Sequence, residues 1–191
     1  MRYGAEIVRA FDSSHDEELD QIKNIVLFTA LTAIGARVYI PHEPVPFTLQ
    51  TLFVILAGAF LGWRNGALSM VFYLLLGAAG VPLFAGPTAG LSVFFGTTAG
   101  YLFGFVIAAA IVGAIINLSD SIVWTTFSML IGFVVIFACG TFYLNMVFIH
   151  NWHISLTQGF LIFSFWDLIK LGAAVAVYRA LPVRFHASNK S

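Results

Sequence analysis

Asp167 and Lys170 stand three residues apart in FWDLIKLGAAVAVY, a stretch otherwise almost without polar side chains. On a helix that spacing turns both side chains to one face. Together they offer an acceptor carboxylate and a donor ammonium, which suits an uncharged ligand group carrying both N–H and C=O. An Asp or Lys at the centre of a membrane helix costs about 2.5–3.5 kcal/mol on insertion scales. Such residues face the bundle interior, pair, and mark a pathway or a binding site. The competing reading is a plain ion pair that fastens this helix to its neighbours, and spacing alone leaves both open.

Other chemistry is poorly represented. HEPVP at 42–46 is not H-E-x-x-H, and no G-x-S-x-G occurs, so zinc-peptidase and serine-nucleophile chemistry lack their motifs. HNWH at 150–153 holds two histidines without an accompanying carboxylate or cysteine, and reads as an interfacial loop anchored by Trp152. No lysine follows a glycine, so the chain has no Walker A loop, and uphill ATP-driven transport would take its hydrolysis from another subunit. Cys139 is the single cysteine, lies in an apolar stretch, and reads as helix packing. The sequence is therefore read as no enzyme, with no metal and no cofactor.

The elements that carry these residues follow from composition. Of 191 residues 60% are hydrophobic and only 9% charged, against roughly 25% charged in soluble domains. A zero formal net charge without a basic run argues against nucleic acid. The apolar runs are continuous rather than alternating, which favours an all-α integral membrane bundle over a β-barrel. Six membrane helices are predicted, over Ile22–Ile40, Thr48–Leu61, Asn65–Gly80, Thr98–Ile116, Val123–Phe148 and Leu156–Ala180. Ser14-His15-Asp16-Glu17 fits a capping box and predicts a helix start near residue 15. Residues 1–20 read as a polar N-terminal segment without the features of a cleaved signal, 21–181 as the membrane domain, and 182–191 as a tail.

With six spans both termini share one side, and Arg2, Arg9, Lys23, Arg64, Arg179, Arg184 and Lys190 all fall there. The positive-inside rule makes that side cytoplasmic, in a bacterial-type inner membrane. Residues 41–47 and 80–96 are punctuated by Gly and Pro yet remain apolar, so they are candidates for the walls or lid of a cavity. Gly58, Gly62 and Gly66, and again Gly96, Gly100 and Gly104, recur every four residues as close-packing faces.

Three stretches now carry a resemblance. ALTAIGARVYIPHEPVPFTLQTLFVILAGAFLG (30–62), YLLLGAAGVPLFAGPTAGLSVFFGTTAGYLFGF (73–105) and DLIK (167–170) resemble the signatures of the BioY family. These are the biotin-binding S components of energy-coupling factor transporters, and the likeness covers roughly residues 25–180. It implies a high-affinity biotin site near the outer surface, closed by the first and third loops, with Asp167 and Lys170 on the vitamin's polar ring. A ureido group presents two N–H donors and a carbonyl, which complement that pair. Phe47, Phe84 and Tyr101 are expected to supply an apolar wall, and Thr48 and Gln50 to reach the ligand. Arg37 is expected either to neutralise the tail carboxylate or to snorkel to headgroups.

The implied partners are a transmembrane coupling protein and two ATP-binding-cassette ATPases, with the S component toppling in the bilayer to release biotin inward. The alternative is a solitary biotin facilitator that works without an energy-coupling module. S components dock through an Ala-x-x-x-Ala face on helix 1, whereas here Ala30 is followed by Ile34, and Thr29/Ala33 and Thr32/Ala36 give a looser small-residue face. The central loop reads GTTAGY where the family commonly has G-P-T-G-G-Y.

Overall fold

The computed structural model describes residues 2–86, 88–161 and 164–181. Arg184 and Lys190, with the whole 182–191 tail, lie outside the described residues. The chain runs α1 (Arg2–Arg37), β1 (Tyr39–Ile40), β2 (Phe47–Thr48), α2 (Gln50–Ala78), a 3-10 turn (Leu91–Phe95), α3 (Ala99–Ile115), α4 (Ile122–Leu144), α5 (Trp152–Gly159) and α6 (Ser164–Ala180). The stretches Gln50–Ala78, Ala99–Leu118 and Ile122–Ile149 are long and apolar enough to cross a membrane. Phe72, Leu75, Phe103, Ile107, Phe127 and Val134 project outward from them. An apolar belt of that kind belongs against lipid.

The first helix departs from expectation at both ends. It is continuous from Arg2, so the Ser14 capping box does not begin it. No Pro or Gly interrupts residues 5–34, and a cap motif starts a helix only where the preceding chain cannot continue one. At its other end it stops at Arg37, before Ile40. Val38, Tyr39 and Ile40 favour extended backbone, and Ile40 precedes a proline. Tyr39 and Ile40 instead pair antiparallel with Thr48 and Phe47, closing the first loop at its base.

Helices predicted separately over 48–61 and 65–80 are the two limbs of α2, broken at Gly62 with φ 77° and ψ 179°. Only glycine takes that conformation cheaply. The chain reverses there, because a Cβ on Gly66 would lie 2.8 Å from the Gly58 Cα, whereas eight residues of straight helix span about 12 Å. Gly58 also lets α3 approach: a Cβ there would fall 2.4 Å from the Ala109 carbonyl oxygen. Gly100 likewise seats against Cys139 and Tyr143 of α4. Gly96 does not share this role, since it follows the 3-10 turn and a Cβ on it would meet only Val93 O, at 3.4 Å.

The predicted sixth helix is also broken. α5 ends at Gly159, and Phe160 leaves helical geometry with φ −122° and ψ −59°. The Gly159 carbonyl, which a continuous helix would bond internally, accepts from the Tyr101 hydroxyl at 2.7 Å. Around this frame α1 packs on α2, α2 on α3 and α3 on α4, while α6 closes the bundle against α2 and α4. Lys23, Arg64 and Arg179 gather at one end, where Asn65 bonds Gln21 and Arg179 bonds the Asp120 carbonyl. The loops 38–49 and 81–98 cover the other end.

Candidate functional site

The covered end holds a cavity of about 610 Å³. Its polar corner is built where the start of α6 meets the start of α2. Lys170 Nζ donates to Asp167 Oδ1 at 2.7 Å, to the Thr48 carbonyl at 2.8 Å and to Thr51 Oγ1 at 3.1 Å. An ammonium has three donors, so each has a partner. Asp167 Oδ1 also accepts from Thr51 at 3.4 Å. Asp167 Oδ2 is buried and has no hydrogen-bond partner among the described residues. Asp167 lines the cavity, and its corner therefore holds one unused strong acceptor. Both residues are buried, at 5% and 8% exposure, which makes the pair a low-dielectric feature rather than a surface ion pair.

Gln50 is buried on the same wall, and its amide nitrogen donates to the Tyr73 hydroxyl, which in turn donates to the Leu83 carbonyl at 2.9 Å. Aromatic and aliphatic side chains form the remainder. Phe84 comes from the loop 81–98, held edge-on between Tyr73 and Phe94. Tyr101 and Phe105 come from α3, and Phe137 from α4, with the Tyr101 and Phe137 rings 6.4 Å apart. The Tyr101 hydroxyl donates to the Gly159 carbonyl, and Tyr101 lines the cavity.

The structure thus brings Asp167, Lys170, Thr48, Gln50, Phe84 and Tyr101 onto one cavity wall. Phe47 and Arg37 are not on it. Phe47 lies in β2, its ring 5.2 Å from that of His42. Arg37 reaches the carbonyls of Pro82 and Gly86 in the loop 81–98. Sequence reasoning missed Thr51, which stands in the first turn of α2 and bonds Lys170 just after Thr48 leaves β2. Phe105, Ile136 and Phe137 carried no signal, because an apolar residue on an apolar helix looks the same whether it faces lipid, core or cavity.

The looser small-residue faces on α1 also find their place. Thr29 and Thr32 are buried against α2, where Thr29 Oγ1 donates to the Ser69 carbonyl at 2.9 Å. The outward stripe of α1 carries Ile22, Val26, Ala30 and Ile34.

A chain with this bundle, this lipid-facing belt and this covered polar-and-aromatic cavity is a multi-pass membrane protein of the S-component fold. Its structure is similar to one described as the crystal structure of the S-component for biotin from an ECF-type ABC transporter. The TM-score is 0.81 at 24% identity, covering 86% of this chain and 92% of that one. The chain belongs to the BioY family, whose model matches residues 11–187. The biotin transporter BioY of Thermotoga maritima is 42% identical over 151 residues, spanning 79% of this chain and 89% of that protein. The biotin transporter BioY2 of Lactococcus lactis is 32% identical over 147 residues, spanning 76% and 81%. Membership places the chain among transport proteins, not enzymes.

Proposed function

We propose that this chain is the substrate-capture subunit of a biotin uptake transporter, and that the cavity between α6 and the two loops is the biotin site. The observation that carries this reading is the unpartnered Asp167 Oδ2 beside a fully engaged Lys170. A buried acceptor left without a donor is costly, and a ureido N–H supplies that donor. The sulfur-bearing ring and aliphatic tail lie against Phe84, Tyr101, Phe105 and Phe137. A volume of about 610 Å³ is in the range of small-molecule sites, roughly 300–1,000 Å³.

Orientation and partners extend the reading. The end bearing Lys23, Arg64 and Arg179 is cytoplasmic by the positive-inside rule, which opens the cavity toward the outer face of the inner membrane. With no Walker A loop in the chain, ATP-driven accumulation takes its hydrolysis from partners, a coupling protein and two ATPases. A second reading, transport without that module, is favoured by the outward α1 stripe, where Ile34 replaces the second alanine of an Ala-x-x-x-Ala face.

Purified wild-type protein binds biotin, and Asp167→Asn weakens binding at least ~30-fold, the value of one lost charge-assisted hydrogen bond or more. Unchanged affinity in that variant reduces the pair to a structural tie. Biotin uptake in cells with and without an energy-coupling module then separates the two readings: accumulation against a gradient without the module excludes the need for partner ATPases.

A further inference from the structure

We propose that Arg37 and Tyr73 are positioning residues that fix the outer wall of the cavity through backbone carbonyls, with neither reaching the ligand. Arg37 closes the last turn of α1, where a cation complements the helix dipole. Its guanidinium donates to the carbonyls of Pro82 and Gly86, four residues apart in an irregular stretch. Tyr73 donates to the carbonyl between them, Leu83, at 2.9 Å. Backbone carbonyls that leave a helix need new partners, and two side chains supply three of them here.

The stretch so held carries Phe84 and Ala85, both on the cavity wall. Tyr73 also accepts from the amide of Gln50, which lines the cavity from α2. A polar chain therefore runs from Gln50 on the cavity wall through Tyr73 to the carbonyl of Leu83, the residue before the lining Phe84. Arg37 fastens the same segment from the other side. A planar fork of five donors can hold two carbonyls at once, which a lysine's compact ammonium does less well. The role of Arg37 is thus to keep Phe84 and Ala85 in register with the site, and not to neutralise a tail carboxylate.

The test has two halves, and only the first rests on the proposed biotin reading. In the full-length protein, Arg37→Gln raises the dissociation rate of biotin about tenfold, one charge-assisted hydrogen bond's worth, and that of biotin methyl ester by the same factor. Arg37→Lys recovers part of the loss for both ligands. A loss seen with biotin and absent with the uncharged ester overturns the proposal, because it places the guanidinium on the tail. The second half uses no ligand: Ala85→Cys in a Cys139→Ser background is labelled with a water-soluble maleimide. Arg37→Gln and Tyr73→Phe raise the labelling rate several-fold, and Arg37→Lys does so less. Unchanged labelling in Arg37→Gln overturns the proposal. Should wild-type protein bind neither biotin nor its ester, the biotin reading fails, and labelling alone decides whether the wall is held this way.

Discussion

The two loops over the cavity look alike as sequence and are built by different means. Residues 41–48 are tied at their ends: β1 pairs with β2, Lys170 holds the Thr48 carbonyl, and the Leu49 amide bonds the carbonyls of Gly35 and Val38. Residues 81–98 are tied along their length. Val81 N bonds Leu76 O, Gly90 N bonds Gly77 O at 2.8 Å, and Phe84 is only 2% exposed, wedged between Tyr73 and Phe94. Both loops line the cavity, but the first is bonded chiefly at its ends, with Val45 buried between them, and the other along its length. The two meet where Thr97 Oγ1 donates to the Pro44 carbonyl at 2.6 Å. Proline and glycine content says where a helix stops, but the fastening comes from side chains distant in sequence.

The hardest blow to this contrast is Lys170→Ala. It frees the Thr48 carbonyl and strands the Asp167 carboxylate, and removing one partner of a buried pair costs about 3–5 kcal/mol. A marked fall in thermal midpoint, with loss of biotin binding, is expected by scanning fluorimetry and titration calorimetry. Gly77→Ala attacks the wall instead. Its Cβ would fall 2.2 Å from the Phe84 ring, and overpacking of this kind costs about 1–3 kcal/mol. The thermal midpoint should fall less than for Lys170→Ala, and biotin should dissociate faster. Thr97→Val cuts only the link between the loops, worth about 0.5–1.5 kcal/mol. Stability should barely change, while spin labels placed on the two loops should show a broader distance distribution. A Thr97→Val effect as large as that of Gly77→Ala would show that the loops stand or fall together.

Much of this was legible beforehand, and the reasons are physical. Long apolar runs admit few structures in lipid, so the spans over 98–116 and 123–148 match α3 and α4 to within a residue or two at most ends. Asp167 and Lys170 stood out because charge is rare at that depth. The break between α5 and α6 was not legible, because its stabilising partner, the Tyr101 hydroxyl, lies 58 residues away. The contacts of Arg37 were not legible for a related reason. A cation near the outer end of a helix can meet a carboxylate, a headgroup or a carbonyl, and only the fold shows that the carbonyls of Pro82 and Gly86 are within reach.

The uninterrupted α1 has a mechanical corollary. Its 36 residues measure about 54 Å at 1.5 Å per residue, well beyond a hydrocarbon slab of about 30 Å. Asp12, Asp16 and Asp20 recur every four residues in the sequence of its N-terminal half. A continuous helix of this length extends about 24 Å beyond the hydrocarbon it can cross.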